Sequence, residues 1–189
     1  MYAVKHSLIL VSTLGLVLTV SASAGFAQDA VLAASKNKTV VDGVVHPGEY
    51  SFSSDFGPLA LYVNRSGEGL YIGVVGSTAG WVAFGLGSVA MDGATIFMGF
   101  LGSDGKAHFK PQAGKDHMHS DVGRDVSDTI VSYAMTKSEG KTTLEVELKP
   151  AAYIKKGQTT LDLIFAEGAQ PSFTPYHTFR GSLSLKLAQ

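Results

Sequence analysis

The chain has 189 residues, 45 % hydrophobic and 16 % charged, with a formal charge of −1 at pH 7. That balance describes one globular domain, and its 15 scattered Lys and Arg residues give no basic footprint for nucleic acid. With no Cys, disulfides, zinc ribbons, iron–sulfur clusters, thiolate nucleophiles and covalently attached haem are all excluded.

Residues 1–27 read as a signal peptide. Lys5 lies before a mostly apolar stretch, Leu8 to Val20, and small residues follow from Ser21, with cleavage expected after Ala27. The apolar stretch is shorter than the ~20 residues of a transmembrane helix, so no membrane anchor is expected after cleavage and the mature chain is expected in the periplasm or outside the cell. Residues 28–40 read as an N-terminal extension and 41–189 as a single domain.

In that domain short β-rich runs alternate with turn residues. They are Leu59 to Val63, Leu70 to Val75, Trp81 to Leu86, Thr95 to Leu101, Thr129 to Met135, Thr142 to Leu148, Thr160 to Ala166 and Ser182 to Leu187. Leu144, Val146 and Leu148 interleave with Glu145 and Glu147, and Leu183, Leu185 and Leu187 with Ser184 and Lys186, so each strand is expected to have one buried and one wet face. The runs from Leu70 and from Trp81 are apolar on both faces, and Gly76 to Gly80 reads as a short hairpin loop between them. Pro150 to Ile154 suits one helical turn, which Gly157 ends. The pattern predicts an all-β protein, an antiparallel β-sandwich of Ig-like complexity with about 8–11 strands.

Two segments break the alternation. Gly80-Trp-Val-Ala-Phe-Gly85 leads to Met91-Asp-Gly-Ala94 and on to Phe97, while Tyr176-His-Thr-Phe-Arg-Gly181 leads into the last strand. Together with Val41-Asp-Gly43 and Gly48-Glu-Tyr50, these motifs resemble the DOMON family, β-sandwiches that bind haem or sugars. The likeness runs from about Val41 to Leu187. The haem-binding, cytochrome-like branch implies a noncovalent type-b haem with Met91 and His177 as axial ligands, Phe84, Phe97, Tyr176 and Phe179 as apolar walls, and Arg180 pairing with a propionate. A thioether and an imidazole saturate haem iron, favour its reduced state and leave no position for dioxygen, which suits electron transfer rather than catalysis. The redox partner is then a separate protein, a membrane cytochrome or a dehydrogenase.

Two other readings stay open. Sugar binding in the same superfamily would use Trp81, Tyr62 or Tyr71 as a stacking surface for a carbohydrate ligand. A metal site would use Lys115-Asp-His117-Met-His119-Ser-Asp121: if extended, His117 and His119 point to one side and, with Asp116, Asp121 or Met118, suit copper or zinc. His119 or His117 would also serve as an axial ligand in place of His177. No Gly-x-Ser-x-Gly elbow, P-loop or dinucleotide fingerprint occurs, so no enzyme template is met.

Overall fold

The computed structural model describes residues 30–36, 38–122 and 124–188, with the main chain only at position 124. The expected signal peptide, 1–27, lies outside the described residues. Two sheets pack face to face. The first has seven strands in the order β1 (Val31–Leu32), β12 (Phe179–Leu187), β11 (Thr160–Gly168), β5 (Trp81–Leu86), β6 (Thr95–Leu101), β7 (Ala107–Lys115) and β8 (Met118–Asp121). The second has five, in the order β2 (Phe52–Asp55), β3 (Leu59–Arg65), β4 (Leu70–Gly76), β10 (Lys141–Leu148) and β9 (Ile130–Ser138). One-turn helices α1 (Arg124–Ser127) and α2 (Pro150–Tyr153) link strands, and Pro begins the second as its fixed φ favours.

The expected all-β sandwich is therefore the fold. All eight predicted runs are strands, and β1, β2, β7 and β8 add to them. Period-2 alternation explains the core: Leu61, Val63, Ile72, Val74, Leu144 and Val146 of the second sheet are wholly buried against Phe84, Leu86, Leu163 and Phe165 of the first. Phe84 stacks on Phe97 with ring centres 5.0 Å apart.

Two expectations are corrected. Residues 76–80 do not make a hairpin: β4 and β5 belong to different sheets, so the segment is a corner between them. Side-chain hydroxyls close that corner. Thr78 Oγ1 donates to Gly168 O (2.9 Å) and accepts from Gly80 N (2.9 Å), while Thr142 Oγ1 donates to Thr78 O (2.8 Å). A Thr142→Val protein keeps the volume but strips Thr78 O and Gly80 O of their donor, and an unfolding free energy lowered by about 1 kcal/mol in denaturant titration is expected, whereas no change would show the corner to be held otherwise.

The second correction is Glu145, which is fully buried rather than solvated. Residues 39–50 run across the outer face of the five-stranded sheet as a strap, and the carboxylate is what they bind. Glu145 Oε2 accepts from Gly43 N (2.7 Å) and Asp42 N (3.2 Å), and Oε1 accepts from Tyr50 Oη (2.6 Å). Thr136 Oγ1 donates to Gly43 O (2.5 Å) and Asn64 Nδ2 to Thr39 Oγ1 (3.0 Å). Strand alternation put Glu145 on the outer face correctly; what it cannot show is a distant segment covering that face.

Candidate functional site on the outer face of the seven-stranded sheet

The outer face of a sandwich sheet ordinarily meets water and is polar. Here it is not. Trp81 and Ala83 of β5, Ile96, Met98 and Phe100 of β6, and Ala94 just before β6 form a second buried apolar cluster, separate from the inter-sheet core. Ile164 and Ala166 of β11 extend it. No outer-face side chain among Ala83, Gly85 and Ala166 reaches beyond Cβ, so this part of the floor is low.

Two segments cover the cluster from opposite sides. From the β7–β8 side comes the turn 91–94, with Ala94 N bonded to Met91 O (3.1 Å), Gly93 N to Gly114 O (3.2 Å) and Gly114 N to Ala94 O (3.0 Å). Met91 packs on the cluster. Its carbonyl occupies the space where a Cβ on Gly114 of β7 would project, so only glycine admits the turn here. From the β11–β12 side comes the connection 169–178. Phe173 packs on the cluster in an edge-on contact with Phe100 (4.8 Å), and Lys110 Nζ lies 4.9 Å from the Phe173 ring centre. At its root the Trp81 indole lies over Gly168, where a Cβ would meet Nε1.

Three buried polar atoms of this face have no hydrogen-bond partner: Trp81 Nε1, Gln112 Oε1 and His119 Nδ1. A buried polar group left unpaired costs about 1–3 kcal/mol, so each of the three is open to a water or a ligand atom. Register spreads them over the face: Gln112 pairs with Ile96 across β6–β7 and His119 with Gly114 across β7–β8, both on the outward side, while Trp81 stands beside Gly168 at the other end of β5. Burial, and secondly the nearby Lys110 charge, hold the His119 imidazole below its ordinary pKa, which favours the neutral form that can donate a lone pair. Lys110 is itself engaged by Asp121 (2.6 Å).

The residues singled out in the sequence fall into three places. Met91, half-buried, and His119 lie on the β7–β8 side of this face. His177, half-buried, and the exposed Arg180 lie on the β11–β12 side. Thr178 N bonds Glu167 O (2.8 Å), which fixes His177 at the end of β11, and Arg180 pairs with Ala166. Phe84, Phe97 and Phe179 occupy the third place, the inter-sheet core, because they alternate with the outward residues of their strands. They back the face rather than wall it. Tyr176 is 87 % exposed, edge-on to the His177 ring at 5.6 Å, and so walls nothing.

The extended reading of 115–121 is also corrected. Asp116 and His117 have φ of 52° and 59° and form a two-residue type I′ turn between β7 and β8, with Lys115 paired to Met118. That turn takes His117 out of the strand and away from His119; its N–H bonds Asp92 Oδ1 (3.3 Å). Among the described residues no three His, Cys, Asp or Glu side chains converge to hold an ion. Of the proposed stacking residues Trp81 and Tyr71 are buried, and Tyr71 Oη bonds Glu147 (3.1 Å). Tyr62 is half-buried beside Tyr50, with ring centres 5.6 Å apart.

Sequence reading missed Gln112, Phe100, Phe173 and Ile164. Its one usable signal was β5, apolar on both faces, which on a two-layer sandwich requires a second cover.

No family sequence model matches the chain, and no curated protein is similar to it in sequence. Among solved structures, a carbohydrate-binding module of family 9 from Caldicellulosiruptor kristjanssonii, in complex with glucose, is similar with a TM-score of 0.50 at 11 % identity, over 83 % of this chain and 95 % of that one. The cytochrome domain of Myriococcum thermophilum cellobiose dehydrogenase gives 0.49 at 14 % identity, over 72 % and 81 %. The cytochrome b domain of pyranose dehydrogenase from Coprinopsis cinerea gives 0.49 at 12 %, over 68 % and 76 %. The likeness is one of fold alone: the chain shares its two-sheet β-sandwich with the sugar-bound module.

Proposed function

We propose that the protein is a secreted electron-transfer module that holds a type-b haem on the outer face of the seven-stranded sheet. The observation that supports this reading is the face itself: apolar, covered by one loop that carries Met91 over Gly114 and by another that holds His177 beside Glu167, with single buried polar atoms unpartnered on β5, β7 and β8. Met91, over Gly114 of β7, would offer a thioether and His177, beside Glu167 at the opposite end of the sheet, an imidazole, and for both to reach one iron the two covering loops would have to move together. Bound there, haem supplies a one-electron couple, and Met/His ligation favours its reduced state.

The remaining chemistry belongs to the chain. Ala83, Gly85 and Ala166 keep the floor low, and Ile96, Met98 and Phe100 exclude water. Arg180, solvent-facing beside Ala166, is placed to pair with a carboxylate at the rim. Gln112 and Trp81 offer an acceptor and a donor. The donor set of thioether and imidazole suits iron. The partner is a separate redox protein, and secretion rests on residues 1–27.

Protein purified from haem-supplied cells is expected to show a Soret band that sharpens on reduction. His177→Ala removes a direct ligand and should weaken haem binding by more than the ~10–100-fold that loss of a supporting hydrogen bond costs at a metal site. A wild-type chain with no Soret band, or a His177→Ala chain with an unaltered reduced spectrum, overturns the reading.

One observation favours a second reading, carbohydrate binding. Tyr62, Tyr50 and His46 line a hollow of about 200 Å³ under the strap, on the opposite sheet. Calorimetry of haem-free protein against soluble glycans, repeated with Tyr62→Ala, separates it from the first: heat that Tyr62→Ala abolishes supports it, and no heat overturns it.

A further inference from the structure

A hollow distinct from the one under the strap lies where the β5–β6 connection meets the segment between α2 and β11. Its volume is about 440 Å³, within the ~300–1,000 Å³ of small-molecule sites. Gly87 and Gly93 form one wall, Ala152, Tyr153 and Lys155 form the other, and Asp162 lines it from β11. Both walls are tied in place. Gly87 N donates to Asp162 O (3.1 Å), which fixes the first to β11. On the second, Gln158 Oε1 accepts from Lys155 N (2.9 Å) and Gln158 Nε2 donates to Thr160 O (2.6 Å), while Tyr153 Oη meets Thr129 Oγ1 (2.7 Å) and its ring lies edge-on to Phe97 (6.0 Å). A site held in shape beforehand spares a ligand the entropy of ordering it.

Two opposite charges line this cavity without meeting. Lys155 Nζ donates to Ala151 O (3.0 Å) and Asp162 Oδ1 accepts from Ser184 Oγ (2.5 Å), and among the described residues neither side chain enters an ion pair. Each keeps capacity to spare, since an ammonium has three donors and a carboxylate about four lone pairs. We propose that the cavity binds a free α-amino acid as its zwitterion, with the ligand ammonium on Asp162 and the ligand carboxylate on Lys155. A simple anion would meet Lys155 but lie near Asp162, and a simple cation the reverse; a dipolar molecule answers both charges and adds no net charge. Ala152 and the Tyr153 ring supply apolar surface for an aliphatic side chain to cover, which favours a ligand such as leucine. The inference needs neither Met91 nor His177 and is independent of the haem reading.

The test titrates the full chain with L-leucine, L-leucine methyl ester and N-acetyl-L-leucine, by calorimetry and by amide nuclear magnetic resonance. Leucine is expected to bind, with shifts concentrated at residues 86–95 and 152–162. The ester lacks the carboxylate and the acetylated form lacks the ammonium, so each should bind about tenfold more weakly or worse, the loss of one charge-assisted hydrogen bond. Lys155→Gln, which keeps a side-chain donor, should lower affinity for leucine but not for the ester. Asp162→Asn, which keeps an acceptor for Ser184 Oγ, should lower it for leucine but not for the acetylated form. Ester or acetylated leucine bound as tightly as leucine overturns the proposal, and so does leucine binding that neither variant weakens. Shifts at these residues with glucose and none with leucine overturn it as well, as does the absence of both heat and shifts on adding leucine.

Discussion

Glu145→Ala is expected to destabilise the protein by about 3 kcal/mol or more, and to release the strap 39–50 before the sandwich itself melts. The substitution leaves Asp42 N–H, Gly43 N–H and Tyr50 O–H without their acceptor, and each buried unsatisfied group costs about 1–3 kcal/mol. A denaturant midpoint gives the first quantity, and hydrogen-exchange protection at residues 42–43 the second; unchanged protection there would show the strap to be held by its other contacts. Glu145→Gln keeps an acceptor and should cost less. It should also alter the pH response. Burial raises the Glu145 carboxyl above its ordinary value, outweighing the three hydrogen bonds that lower it, so the folded chain binds that proton more tightly than the unfolded one. The stabilisation from this group is present below the unfolded value of about 4.3 and is lost as pH rises through the raised folded value. Glu167, buried near the Thr78 corner and likewise raised by burial, acts in the same direction. Stability measured from pH 4 upward should therefore fall less steeply in Glu145→Gln than in the wild type.

Gly114→Ala is expected to abolish the outer-face site while sparing the fold. The new methyl projects into the Met91 carbonyl and lies 3.0 Å from its Cγ, so a backbone turn, not a flexible side chain, has to move. Overpacking of this kind costs about 1–3 kcal/mol, which a sandwich with two cores survives. The turn that carries Met91 is the part displaced, since three backbone bonds tie residues 91, 93, 94 and 114 together. Circular dichroism should stay β-like, while the reduced haem spectrum loses its thioether character. A variant with wild-type spectrum and wild-type stability would show the turn to be adaptable.

Where alternation dominates, the fold was legible. β5 and β6 were bounded to the residue, and β12 was foreseen as amphipathic. β7 was not, because Ala107–Lys115 carries His108, Lys110, Gln112 and a Pro where a strand pattern wants apolar positions. Those polar residues face outward beside the apolar cluster, so the feature that hid the strand is the one that furnishes the site. β8 was obscured by Asp116 and His117, whose positive φ values make a turn that glycine ordinarily announces. Motif resemblance picked out Met91 and His177, which the structure sets apart, one over Gly114 of β7 and the other beside Glu167 at the far end of β11. It assigned Phe84, Phe97 and Phe179 to the wrong side of the sheet, where counting by twos from Trp81 and Ala83 would have placed Phe84 with the core.

The pairing of β1 with β12 has a bearing on how the protein folds. Val31 lies beside Lys186 and Leu32 beside Leu187, in parallel, with Ala30 O accepting from Lys186 N and Leu32 O from Ala188 N. The seam that finishes the seven-stranded sheet thus joins segments at opposite ends of the described chain and cannot form until the last strand has been synthesised. Until then, β11 presents an open edge that invites pairing with another chain. A topology so rich in distant contacts belongs to the slow-folding class, with closure of this seam as the natural final event of assembly.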